Sequence, residues 1–252
     1  MPLNHYATRR MMLAVLFCLS SMQLMSPPAA RADYSKVPQA YFPNLAEKAS
    51  TPEGFVQPGL KLEKVAKGDL NGDTIPDLAM VLKMDNPANV LKDPDDAERE
   101  PLDTNPRMIA VALADKGGNG YTLYTVNMSL IPRVEEPNMN DPFVDLKIDR
   151  GAMRVLLDQS SNAGSWSSSS ITFVFRKSPQ EMSLIGYDRT DVNRSSGELT
   201  ETSVNFVTGK QQKSTGSVSS DKKSTKLTQL PGRPLQSMGM MGDGFSFDPL
   251  NP

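Results

Sequence analysis

Apolar residues along this chain come in short runs separated by turn-forming residues, and nowhere do they recur with the 3.6-residue period of a helix. Leu78-Ala79-Met80-Val81-Leu82 and Met108-Ile109-Ala110-Val111-Ala112-Leu113 are compact apolar stretches of strand length. Tyr121-Thr122-Leu123-Tyr124-Thr125-Val126 alternates, and Gly117-Gly118-Asn119-Gly120 before it marks a hairpin loop. Val144 to Ile148 alternates, turns at Asp149-Arg150-Gly151 and returns as Met153 to Leu157. Ile171 to Arg176 turns through Ser178-Pro179-Gln180 into Met182 to Tyr187. Thr202 to Val207 precedes a turn at Thr208-Gly209-Lys210. The pattern predicts about nine short strands joined mostly by tight turns, a mainly β antiparallel meander folded as a sandwich or an open barrel.

Three stretches fall outside this pattern. Residues 33–60 carry Pro38, Pro43, Pro52 and Pro58 and read as an irregular lead-in, with a short helix near Asn44–Ala49. Within the β domain, 61–209, the segment 85–106 holds four prolines and the acids Asp93, Asp95, Asp96, Glu98 and Glu100, as expected of a solvated insertion. Residues 210–252 are rich in Lys, Ser, Thr and Gly and are expected to be a partly disordered tail, with Phe245-Ser246-Phe247 able to return to the sheet as an edge strand.

The first 32 residues change the chemistry available to the rest. Arg9 and Arg10 precede the apolar run Met11 to Met25, and Ala30-Arg31-Ala32 supplies small residues at the −3 and −1 positions of a cleavage site. The apolar run is about 15 residues, short of the ~20 that cross a bilayer. A cleaved export signal ending at Ala32 is therefore expected, leading to the periplasm or outside the cell, and no other run reaches transmembrane length. Phe17 before Cys18 argues against lipoprotein processing, and the arginine pair resembles a twin-arginine signal only loosely.

The chain has one histidine (His5), one cysteine (Cys18) and one tryptophan (Trp166). Cleavage removes the first two, and with them Ser-His-Asp and Cys-His catalysis, disulfides, and His- or Cys-ligated zinc. It also removes three arginines and no acid, moving the formal net charge from −2 to −5. A mildly acidic mature chain is a poor candidate for binding nucleic acid or an anionic membrane.

One stretch carries metal chemistry. From Asp69 as position 1, side-chain oxygens fall at 1 (Asp69), 3 (Asn71), 5 (Asp73) and 9 (Asp77), and Ile75 at 7 offers a backbone carbonyl. Alternating oxygen donors on a tight loop suit a hard cation such as calcium, bound at ~2.3–2.6 Å. The same residues also favour an Asx-rich turn without metal. Position 12 is Met80 rather than Glu, so this is not an EF-hand.

The form Asp-x-Asn-x-Asp-x-x-x-Asp ahead of an apolar strand resembles the calcium loop of FG-GAP and VCBS repeats over residues 67–82. The resemblance implies ligand roles for Asp69, Asn71, Asp73, Asp77 and the Ile75 carbonyl. It departs at position 6, where Thr74 stands in place of the usual glycine and resists a positive φ. A single copy of the motif does not build a propeller. The expected mature chain also resembles bacterial exported proteins of unassigned function, through Gly54-Phe55-Val56, Leu130-Ile131-Pro132-Arg133, Asp141-Pro142-Phe143, Gly164-Ser165-Trp166 and Leu184-Ile185-Gly186-Tyr187-Asp188. That resemblance implies one unit of fold over about 50–210 and no activity.

Two further candidates remain. Trp166, flanked by serines, is either a core plate or a stacking surface for a sugar ring. Glu135, Glu136 and Asp141, with Asp145 nearby, lie in a Pro-rich stretch, and two carboxylates ~5–9 Å apart suit glycoside hydrolysis. The expected function is a calcium-stabilised binding or cell-envelope module, with a glycan or envelope component as partner. The alternative is a carboxylate-dependent glycan hydrolase.

Overall fold

The computed structural model describes residues 37–93, 96, 98–160 and 167–251. The expected signal segment and Trp166 lie outside the described residues. In chain order the strands are β1 (Lys48–Ala49), β2 (Leu60–Gly68), β3 (Asp77–Met84), β4 (Val90–Leu91), β5 (Leu102–Asp103), β6 (Arg107–Ala114) and β7 (Tyr121–Asn127). They continue as β8 (Phe143–Asp149), β9 (Ala152–Gln159), β10 (Ser167–Lys177), β11 (Met182–Asn193), β12 (Glu198–Asn205), β13 (Lys210–Ser217) and β14 (Ser220–Gln229).

Two antiparallel sheets stack face to face. One has the order β1-β7-β6-β3-β2, and the other is a seven-stranded meander from β8 to β14 in chain order. Every residue of β3 is buried, which explains its unbroken apolar run: the strand is covered on both sides. Ala79 and Val81, with Ile109 and Val111 of β6, face the meander's Leu146, Val155, Phe173 and Tyr187. Leu78, Met80 and Leu82 face the other way, under Phe55 and the lead-in residues Ala40, Phe42 and Leu45. The lead-in is thus a third layer. The helix expected over Asn44–Ala49 does not form; Lys48–Ala49 pairs with Ala49↔Tyr121 register on β7, and Leu123 N donates to Glu47 O at 2.8 Å. Spread over a flat sheet, these apolar side chains are used better by extended chain than by one helical stripe.

The insertion carries the small β4–β5 ribbon, and its ends are anchored by Asn89 Nδ2 donating to Asn105 Oδ1 at 3.0 Å. The expectation for the end of the chain is corrected more strongly. The β domain does not stop at 209, because β13 and β14 extend the meander. Residues 230–251 then fold back over the core, bringing Leu230, Met238, Met241, Phe245 and Phe247 onto it. Phe247 lies 5.3 Å from the Phe173 ring and 5.1 Å from that of Tyr187, yet it docks as coil rather than as an edge strand. The backbone of the returning segment is held at Gln236, whose carbonyl accepts from Leu184 N of β11 at 2.8 Å, and at Gly244, whose N–H donates to Leu130 O at 3.1 Å.

Gly244 shows how close that return is. A Cβ there would stand 2.6 Å from Leu130 O and 2.7 Å from Leu157 Cδ1. Gly244→Ala is expected to cost about 2 kcal/mol through overpacking, read as a lower urea midpoint; an unchanged midpoint would show that the closing segment sits loosely.

Candidate functional site

The oxygen-rich stretch forms the loop between β2 and β3, closed by the pair Gly68↔Asp77. Leu70 and Leu78 anchor its two ends in the two cores. Between them, each polar side chain folds the backbone around itself. Asp69 Oδ1 accepts from Asn71 N (3.1 Å) and Gly72 N (2.6 Å), and its Oδ2 accepts from Thr74 N (2.8 Å). Asn71 Oδ1 accepts from Asp73 N (2.9 Å), and Asp73 Oδ1 accepts from Ile75 N (2.8 Å). Asn71 Nδ2 donates to Asp73 Oδ2 at 3.0 Å. The amides of Thr74 and Gly72, foremost, hold the Asp69 carboxyl below its ordinary range.

Asp77 has a different position. It is fully buried beneath the loop, with Oδ2 accepting from Leu70 N (2.8 Å) and Oδ1 from Ala114 N at the end of β6 (2.8 Å). Burial raises its pKa, partly offset by those two amides, and the charges of Asp73 and Asp69 add to the rise. Asp77 therefore ties the loop to the neighbouring strand.

The structure places Asp69, Asn71 and Asp73 on one turn, with Ile75 next to them and Asp77 below. Among the described residues, however, no three His, Cys, Asp or Glu side chains are drawn together as a metal-holding group. Backbone amides hold the carboxylates of Asp69 and Asp73 on the turn, while Asp77 still feels the charges of both. The donors are all oxygen and fit calcium in kind: Asp69 Oδ1 holds two amides, whereas Asp69 Oδ2, Asn71 Oδ1 and Asp73 Oδ1 hold one each and keep a second lone pair.

Thr74 adopts φ 70° and Gly72 φ 85°. A β-branched residue in the left-handed region is strained by about 1–2 kcal/mol. Thr74 is exposed and has little packing to lose. Thr74→Gly is expected to raise stability by about 1 kcal/mol in urea unfolding, and a decrease would contradict the strain.

The carboxylates considered for hydrolysis are engaged elsewhere. Arg107 is 4% exposed; its Nε meets Glu63 Oε2 at 2.5 Å and its Nη2 meets Asp141 Oδ2 at 2.6 Å. Burial alone would depress the pKa of that guanidinium, but Glu63 and Asp141 raise it and keep it charged. Asp145 pairs with Lys64 at 2.7 Å, which holds its pKa below the usual range. Glu135 and Glu136 are exposed on their loop. Asp141 and Asp145 are thus each held by a basic side chain. Sequence inspection missed the Glu63–Arg107–Asp141 group, for which the signal was an arginine directly preceding the apolar run from Met108.

Beside the β2–β3 loop lies an open depression of about 650 Å³, lined by Asp69, Asn71 and Gly72 on one side and Arg150, Arg176 and Lys177 on the other. Among the described residues no helix is long and apolar enough to cross a membrane. Comparison with known proteins returned no matching family model, no matching curated protein and no matching solved structure.

Proposed function

We propose that this chain is an exported, non-catalytic binding or cell-envelope module whose β2–β3 loop takes a structural calcium ion. The observation that carries the reading is the loop itself: Asp69, Asn71 and Asp73 stand on one tight turn, Thr74 is held left-handed, and Asp77 is buried at the base. Calcium would neutralise the carboxylates of Asp69, Asp73 and Asp77, with Asn71 and the Ile75 carbonyl as uncharged donors, and so stiffen the hairpin. The binding role rests on the depression next to it, where an anionic ligand group would meet Arg150, Arg176 and Lys177. The hydrolase alternative has no such support, because Arg107 holds Asp141 and Lys64 holds Asp145.

A cation that binds only the folded state stabilises it by mass action. At ten times Kd the gain is about 1.4 kcal/mol, or roughly 3–6 °C in melting temperature for a protein of this size. That rise is expected in millimolar calcium relative to chelator, and Asp73→Ala is expected to abolish it. Superimposable melting curves of the unsubstituted protein in the two conditions would refute the calcium site.

A further inference from the structure

The formal charge of the whole chain is −2, but the charge is not evenly spread. Residues 210–229, the β13–β14 hairpin, carry five lysines (Lys210, Lys213, Lys222, Lys223, Lys226) against one acid, Asp221. This hairpin is the outer edge of the seven-stranded sheet, and all ten residues of β14 are exposed. Lys213 and Lys226 stand directly opposite each other across the strand pair. Like charges in that position repel, and neither lysine has an ion-pair partner among the described residues. On the other face Lys223 is answered by Glu201 at 2.7 Å. At the turn of the hairpin Val218 is 62% exposed, while Leu227, 74% exposed, lies on the face opposite Lys226.

We infer that the β13–β14 hairpin is a docking surface for an anionic lipid bilayer, with Lys213 and Lys226 meeting headgroup phosphates and Val218 at the turn entering the interface. Juxtaposed lysines beside an exposed aliphatic turn residue are a combination that peripheral membrane segments use. Nucleic acid fits less well. The hairpin contains no arginine for base edges and no aromatic residue on which bases stack. Edge lysines also guard a sheet against unwanted strand pairing. That purpose accounts for lysines on β14, but not for Lys213 on the interior strand facing Lys226.

The test is co-sedimentation of the full chain with phosphatidylcholine vesicles, with and without phosphatidylglycerol, in chelator so that calcium cannot bridge. Chelator also makes the result independent of the calcium loop. Partitioning is expected to favour the anionic vesicles and to fall about fivefold for each of Lys213→Gln and Lys226→Gln. It is expected to collapse near 1 M salt, where screening acts within ~3 Å. Lys213→Thr and Lys226→Thr, which favour the strand, provide the same measurement should the first pair fold poorly, as judged by thermal melting. Equal partitioning to both vesicle types would overturn the inference. So would a preference unchanged in the variants, or retention of a DNA duplex without retention of vesicles. Self-association of the Lys→Gln variants with no change on vesicles would identify the lysines as edge guards and overturn it too.

Discussion

Replacing Asn127 by alanine is expected to release the closing segment and to cost about 3–5 kcal/mol. Asn127 ends β7 at 4% exposure, with both ends of its amide occupied by backbone. Nδ2 donates to Met238 O (2.7 Å) and Met241 O (2.8 Å), while Oδ1 accepts from Ser129 N (2.9 Å) and Leu130 N (2.6 Å). One side chain therefore sets the turn after β7 and holds the returning chain more than a hundred residues later. Its loss leaves buried carbonyls and amides without partners, at about 1–3 kcal/mol for each group that water cannot reach. The loss should also be local. Residues 230–251 should become protease-sensitive and their departure should expose Phe173 and Tyr187, which Phe247 now covers. Limited proteolysis and a hydrophobic dye report both events. A variant cut no faster than wild type in that segment would mean that the apolar contacts and the backbone bonds at Gln236 and Gly244 retain it without Asn127.

Asp77 gives the second large effect. Asp77→Ala strands the amides of Leu70 and Ala114 and is expected to destabilise by about 2–4 kcal/mol. The pH dependence distinguishes the carboxylate from a neutral acceptor. Burial raises the pKa of Asp77 above its ordinary 3.8, so the folded chain keeps this proton to a higher pH than the unfolded chain does. The group's contribution to stability is thus greatest below the ordinary value and declines as pH rises through the raised one. Asp145, whose pKa is lowered by Lys64, acts in the opposite sense: its contribution is present above the ordinary value and is lost as pH falls. The stability gap between wild type and Asp77→Asn should therefore narrow as pH rises out of the carboxyl range. Urea midpoints across that range measure it. A gap that widens with pH would show that the ionised form is the one the fold prefers.

Several elements were legible because one face of the strand is buried and the other is wet. The hairpins β8–β9 and β10–β11 alternate visibly for that reason. β2 was hidden by a bulge between Leu62 and Lys64, which shifts the alternation by one residue. β13 and β14 were invisible for another cause. They bury almost nothing, so no hydrophobic period exists to be read, and they persist by backbone pairing to β12 and to each other. In the candidate loop, the oxygen-bearing positions from Asp69 to Asp77 were legible from their spacing. The strain at Thr74 was legible too, since a loop of this form needs a left-handed residue there.

By itself the sequence determined that this is a mainly antiparallel β protein, that a polar turn precedes the apolar strand from Leu78, and that the side chains after residue 32 include no imidazole or thiol. These are local properties, set by side-chain alternation, turn residues and the inventory of functional groups. Only the tertiary structure decided what each buried polar group touches. Asp77 reaches Ala114, Arg107 gathers Glu63 and Asp141, and Asn127 holds Met238 and Met241. The physical reason is that a buried donor or acceptor must find a partner wherever the chain happens to pass, and which distant segment passes there depends on how the two sheets and the closing segment pack.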